Sequence, residues 1–339
     1  MRARPLPFLL LTALAASSFG PSAFGQRKTG TTIGLFTLIE PSARVAAMGN
    51  AGVAAPGEVT AVFFNPAAAA LLAGSDAQFT HSEWLAGITY DFAAVGLRLG
   101  AANTVYFSVT ALNSGDIDVR TVEQPEGTGE RYTVNDVAIA AGYSRQLTDR
   151  FSAGGQATYV RETIWHSTLQ AVGINVGVAY RLPFGPYLGA SLSNFGSRGK
   201  YDGRDLRIQF DQDRETNGDN SALPAALTTE EYPLPIQFRV GLGWPVEVSA
   251  NQRLNLLAEA VQPSDNAQSL SLGGEYSFNN LIALRAGYQG LFQPDAMTGP
   301  SLGAGVNARF SGVGLRFDYA WSSYGDLDSV QRFTVGVGF

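Results

Sequence analysis

The sequence contains no cysteine, which excludes a disulfide framework and any thiolate metal site. Histidine is almost as scarce, with His81 and His166 the whole supply. Charged residues make up 15% of the chain, against a usual value of about 25%. A soluble protein with so few would be poorly solvated, whereas a barrel facing lipid on one side needs few. The formal charge is −6 and no basic stripe appears, which excludes a nucleic-acid partner, since phosphate binding requires one. Long apolar runs are missing too. After residue 26 the longest is Ala67–Ala73, far below the roughly 20 residues of a membrane-spanning helix.

The N-terminus carries an export pattern. Arg2 and Arg4 form a basic region, Phe8–Ala16 a short apolar one, and Ala23-Phe24-Gly25 a small-x-small cleavage site before Gln26. The apolar run is broken by Ser17, Ser18, Gly20 and Pro21, so a retained anchor helix is disfavoured. Residues 1–25 are expected to be a signal peptide. An exported chain without a spanning helix is periplasmic, secreted or a barrel.

Glu40–Leu72 is small, apolar and without strand alternation. Ser42 can cap a helical turn by accepting from exposed amides, and Gly49 can end it in the left-handed region. Asn65 repeats the cap, Pro66 fits the first helical position, where no N–H is needed, and Ala67 begins the turn that follows. The polar lead-in Gln26–Thr32 reads as flexible.

From residue 77 onward the pattern is a membrane-spanning strand repeat. Val313, Leu315, Phe317, Tyr319 and Trp321 alternate with Gly314, Arg316, Asp318 and Ala320, and only a strand places these sets on opposite faces. Val172 to Tyr180, Ile236 to Trp244 and Leu302 to Phe310 show the same parity. Strands are expected near 77–84, 88–99, 103–113, 132–146, 151–164, 168–182, 186–195, 234–245, 252–262, 268–278, 281–290, 300–310, 312–322 and 330–339. The even number suits a single-chain outer-membrane barrel, as does the alternation of short with long connections. Val246–Asn251 fits that alternation less well. Phe333, Val335, Val337 and Phe339 end the chain in strict alternation, an aromatic terminus of the kind that barrel-assembly machinery recognises. A soluble β-sandwich would carry charged or hydroxylated residues on its outer faces, and here the second parity is mostly Gly and Ala. The fold is therefore expected to be all-β: residues 26–76 form an N-terminal segment and lumenal hatch containing short helices, and residues 77–339 a transmembrane antiparallel barrel of fourteen strands.

The segments Pro41-Ser42-Ala43-Arg44, Ala47-Met48-Gly49 and Asn65-Pro66-Ala67, followed by His81-Ser82-Glu83-Trp84-Leu85 and by an acidic insertion at 196–233, resemble the PorV/PorQ family of outer-membrane proteins. These are barrels related to the FadL fatty-acid transporters. The resemblance implies a FadL-like barrel with a hatch marked by Ser42, Arg44, Gly49, Asn65, Pro66 and Ala67. PorV-like members serve type IX secretion, receiving exported cargo and handing it to surface-attachment machinery, whereas FadL-like members pass hydrophobic solutes. The motif marks what both branches share. It implies an outer-membrane location in a Gram-negative-type bacterium, with outer-membrane lipid, the assembly machinery and, for the first branch, exported cargo proteins and secretion components as partners.

Candidate sites follow from position. Arg239, Arg253, Glu259, Glu275, Arg285, Arg309, Arg316 and Asp318 fall on the non-lipid parity, where opposite signs can pair or hold the plug. His81 with Trp84, and Trp165 with His166, fall at external strand ends, where an aromatic girdle belongs. Adjacent His81 and Ser82 point to opposite faces of a strand, so they cannot act as base and nucleophile, and no enzyme activity is expected. The Gly-x-Gly repeats Gly312-Val313-Gly314 and Gly336-Val337-Gly338 lack the Lys-Ser or Lys-Thr of a phosphate loop and suggest lumen space beside the plug. The 213–219 loop begins like a calcium loop, but its twelfth position is Pro224 where a bidentate Glu is needed. No metal or cofactor is expected. The 196–233 insertion holds eight acids against five bases, and 114–131 five against two. Such fields solvate an outer surface or steer a basic partner towards it.

Overall fold

In a computed structural model, which describes residues 28–211, 215 and 222–339, the alternating segments close into one antiparallel barrel of fourteen strands. They are β1 (Asp76–Glu83), β2 (Thr89–Leu99), β3 (Asn103–Asn113), β4 (Val134–Gln146), β5 (Phe151–Ile164), β6 (Ser167–Arg181) and β7 (Tyr187–Gly196). The second half is β8 (Gln237–Ser249), β9 (Gln252–Pro263), β10 (Ser269–Phe278), β11 (Ile282–Leu291), β12 (Pro300–Phe310), β13 (Val313–Ser323) and β14 (Ser329–Gly338). Each pairs with its sequence neighbours, and β1 pairs with β14, with Phe79 opposite Val335 and Ala77 opposite Val337. Closure leaves no sheet edge in lipid. Residues 1–25 and all of the 213–219 loop except Glu215 lie outside the described residues.

Parity decides which face meets lipid. On β6, Val172, Ile174, Val176 and Val178 project outward and Gly173, Asn175 and Gly177 inward; on β13, Leu315 and Phe317 project outward and Arg316 and Asp318 inward. Apolar side chains left exposed around the outer wall would be a liability in water and are the requirement of a bilayer.

Connections at one end are short turns, such as 100–102, 147–150 and 311–312, and at the other end lie 114–133 and the described residues of 197–236. Short turns mark the periplasmic end of such barrels. The connection expected at Val246–Asn251 shrinks to two residues, because β8 runs on to Ser249 through an irregularity between Glu247 and Ser249. An extra residue in one strand breaks the alternation on which a sequence reading depends. The long connections carry small ribbons of their own, Arg207–Phe210 against Leu223–Ala226 and Ile117–Asp118 against Arg131–Tyr132.

The segment preceding β1 lies in the lumen. Its turns are Leu35–Leu38, Ala43–Ala46, Val59–Phe63 and Pro66–Leu71, of which only Ala43–Ala46 is α-helical. Val59, Val62, Ala69 and Leu72 pack on Tyr90, Phe92 and Tyr106 of the inner wall; Ala43, Ala46 and Ala47 pack on Ala320. The core of this protein is thus the seam between plug and wall, since the outer apolar residues bury nothing within the chain. Wall glycines allow that seam to close. A Cβ at Gly273 would stand 2.2 Å from the Met48 carbonyl oxygen, and one at Gly177 2.1 Å from Asn65 Oδ1. Gly312, Gly314, Gly336 and Gly338 make no such room for the plug. Gly336 faces Arg316 and Gln78, and nothing of the plug lies within 4 Å of the other three.

The last residue of the lead-in and the two that follow are held as well. Ile33 N–H donates to the Pro233 carbonyl (3.0 Å), Gly34 N–H to Glu162 (2.7 Å) and Thr32 Oγ1 to Asp265 (2.7 Å). These partners belong to the external end. From Thr32 the chain therefore descends through the lumen and enters β1 from the periplasmic end.

Candidate functional site

The motif residues of the plug fix the segment, most of them through hydrogen bonds. Ser42 Oγ accepts from Val45 N–H (3.2 Å) and donates to Glu58 (2.6 Å). Asn65 is fully buried; its Oδ1 accepts from Ala67 N–H (3.0 Å), and its Nδ2 donates to the carbonyls of Val53 in the plug (3.0 Å) and Val178 in the wall (2.9 Å). Pro66 follows at the first position of its turn. Gly49 has φ +66°, and a Cβ there would meet the backbone of Leu272 and Tyr288 at 2.6–2.7 Å. Its N–H donates to Ser301 Oγ (3.0 Å).

Arg44 joins plug to wall. Its Nε and Nη2 meet the two oxygens of Glu275 at 2.9 Å each, a bidentate pair that fixes direction as well as charge. Glu275 on β10 stands directly opposite Arg285 on β11, whose Nε donates to it at 2.7 Å. Arg285 then reaches across β12 to Asp318 on β13 (2.6 Å). The crossing is possible because β12 presents Gly305 there: a Cβ would stand 2.1 Å from Asp318 and 2.7 Å from the guanidinium. Asn255 completes the set by donating to Glu275 at 2.8 Å. Buried charges at this depth are tolerable because each has an opposite partner.

Other tethers lie around the plug. Glu259 accepts from Val53 N–H (2.7 Å) and lies 3.5 Å from Arg239, which covers the rings of Phe63 and Phe64. Arg316 pairs with Asp76, and Asp76 also accepts from Val59 N–H (2.8 Å). Glu58, itself buried, accepts from Ser42, Thr60 and Gln78. Burial pushes its carboxyl up, and the field of Arg44 with the Ser42 bond outweighs that, so it titrates below the usual carboxylate range. For Arg44 burial disfavours the charge and Glu275 more than offsets it, so its pKa is raised.

The eight lumen-parity residues therefore divide. Glu275, Arg285 and Asp318 form one chain of contacts with Arg44; Arg239 pairs with Glu259, and Arg316 with Asp76. Arg253 pairs with exposed Glu247 at the periplasmic rim (2.7 Å), and Arg309 is exposed near the same end. Parity assigns a face but not a depth. Arg332 is a tether that a sequence reading passes over. It is completely buried, donates to the Glu40 carbonyl (3.1 Å), Ser322 and Tyr324, and lies 5.3 Å from the Trp84 ring. Its signal is an arginine on the inward parity of the last strand, just before outward Phe333. Glu58 and Asp76 also escape such a reading, and nothing local distinguishes them.

His81 pairs with Asp91 across β1 and β2 (2.7 Å), while Trp84 turns inward to Tyr324. His166 stacks on Trp165 and pairs with Asp205 of the 197–236 connection (2.9 Å). The two histidines therefore have separate partners. Beneath that connection Tyr201 donates to Glu162 (2.9 Å), and burial followed by the Glu162 charge raises its pKa. At the other end Phe333, Val335 and Val337 face outward, and Phe339 N–H donates to the Ser75 carbonyl (2.9 Å) beside the β1–β14 seam.

Several spaces remain between plug and wall, among them the following two. A vestibule of about 460 Å³ lies below the plug, among Arg44, Arg181, Arg285, Arg316, Glu275 and Asp318. A chamber of about 40 Å³ lies above Phe63, walled by residues including Ser108, Thr110, Gln156, Thr158 and Ser193.

A closed barrel with its N-terminal segment tethered in the lumen defines a class, the plugged outer-membrane β-barrel. Solved structures similar to it are FadL-like. The Pseudomonas putida toluene transporter TodX is similar with a TM-score of 0.55 and 14% identity, over 88% of this chain and 97% of that one. The CymD monoaromatic hydrocarbon channel gives 0.55 and 14%, over 89% and 98%. A Pseudomonas aeruginosa FadL homologue gives 0.52 and 12%, over 87% and 96%. At such identities the likeness establishes the fold. Residues 22–181, which include the plug and β1–β6, match the family described as type IX secretion system protein PorV. The barrel read from the sequence is thus the observed fold, and the first part of the chain is similar to the PorV family. Comparison with curated proteins finds no match.

Proposed function

We propose that this chain is a non-enzymatic outer-membrane component of type IX protein secretion, which binds exported cargo at the cell surface through its external connections. The observation that carries the reading is the PorV match over residues 22–181. The plug supports it: hydrogen bonds and ion pairs tether it to the wall from several sides, which opposes its displacement by a solute. The 114–131 segment and the described residues of 196–233 stand at the external end, and the acidic balance of both sequences would steer a partner with basic patches there. On this reading residues 1–25 are removed on export, the alternating strand ending at Phe339 is read by the assembly machinery, and residues 26–76 act as a hatch.

The fold likeness to TodX and CymD favours a second reading, passage of a long-chain fatty acid or other hydrophobic solute past a displaced hatch. Affinity purification from the native outer membrane separates the two. Recovery of exported proteins sharing a common C-terminal domain is the expected result. Their absence, together with fatty acid bound in the lumen, would overturn the secretion reading.

A further inference from the structure

A cavity of about 210 Å³ lies at the external end, between the plug and the neighbouring strands β8 to β11. Arg239 on β8, Ser271 on β10 and Gln289 on β11 line it together with Glu40 and Asn50 of the plug. Asp265 of the β9–β10 turn and the exposed Thr29 and Gly30 line its outer part.

Three of these side chains meet in a line. Gln289 Nε2 donates to Glu40 Oε1 (3.2 Å), and Asn50 Nδ2 donates to Gln289 Oε1 (2.6 Å). An ionised carboxylate can only accept, so Glu40 fixes which way both amides point. One oxygen is orphaned as a result: Asn50 Oδ1 is buried without a partner, in a residue 4% exposed.

Charge is unbalanced in the same place. Glu40 is 8% exposed, its carboxylate receives only the Gln289 bond, and no basic side chain pairs with it among the described residues. Arg332 takes the Glu40 backbone carbonyl instead and does not line the cavity. Asp265, equally buried, accepts from Thr32 and also lacks a basic partner among the described residues. Arg239 is already held by Glu259, Gln237 and two phenyl rings. Two buried carboxylates without a cation and an amide oxygen without a donor ask for a ligand that is positive and rich in N–H.

We propose that this external cavity binds a primary ammonium group, with Glu40 and Asn50 Oδ1 as its acceptors and Asp265 adding to the field that draws it in. An ammonium offers three donors and no acceptor, which matches the lining. A bare metal ion matches it less well, since among the described residues no three acidic or histidine side chains stand together as ligands. The amine would come from a lysine side chain of a polypeptide or from a free small amine. The site does not depend on the secretion reading.

Calorimetric titration of the purified full chain at neutral pH in a non-ionic detergent tests this. The probes are butylamine, butanol and acetyl-glycyl-lysyl-glycine amide, whose only charge is the lysine ammonium. Saturable binding of butylamine or of the peptide, with none of butanol, is the expected result. Binding of the peptide identifies a polypeptide as the source, and binding of butylamine alone a free amine. Glu40→Gln keeps an oxygen for Gln289 and, with the heat-modifiable gel band unchanged, should weaken binding about tenfold, the worth of one charge-assisted hydrogen bond. Asp265→Asn keeps an oxygen for Thr32 and should weaken it by less. Absence of saturable binding by both amines, equal binding of butanol, or unchanged affinity in either variant would overturn the proposal.

Discussion

At the scale of single residues, the plug is held by charges whose partners come from distant parts of the chain. Arg285 is the pivot, bonded to both Glu275 and Asp318. Arg285→Ala would leave Asp318 buried without its guanidinium, so a loss of about 3–5 kcal/mol is expected, measurable by urea titration of the heat-modifiable gel band. Gly305→Ala tests the crossing by another route. Its Cβ would occupy the space where Arg285 meets Asp318, and a loss of about 1–3 kcal/mol is expected for such overpacking. Little of this pairing is legible in the sequence. Parity places Glu275, Arg285 and Asp318 on the inner face, but their meeting depends on the register of four strands and on a glycine between them. Arg332, Glu58 and Asp76 are harder still, because each meets the plug or wall only after the barrel closes.

At the scale of elements, the strands are the legible part. Period-two alternation fixes each strand's face, and the β8 boundary fails only where an irregularity near Glu247 breaks the period. The plug turns are legible by their caps at Ser42 and Asn65, since a cap needs only local sequence. Their 3-10 geometry follows from packing in a narrow lumen rather than from propensity. The same alternation supplies a test of the lipid face. Val176 points outward midway along β6, so Val176→Arg should cost about 2–4 kcal/mol in bilayers, read from urea titrations in vesicles. A cost near zero would mean that this face is wet.

At the scale of the whole molecule, a barrel and a plug solve each other's problem. Fourteen strands enclose a lumen that their inward glycines and small side chains cannot fill. The plug, too small and apolar to fold alone, fills it and gains a wall. The buried ion pairs then fix where the plug lies rather than adding much to net stability. A lumen closed in this way leaves the external connections and the external cavity beside β8 to β11 as the surfaces on which a partner or ligand can act. Closure of the lumen is the central claim, and conductance across a planar bilayer measures it most directly. The intact chain should show no steady ion current, and a chain lacking residues 40–72 should show stable open steps. An intact chain that already conducts, or a deletion that leaves the current unchanged, would contradict the claim.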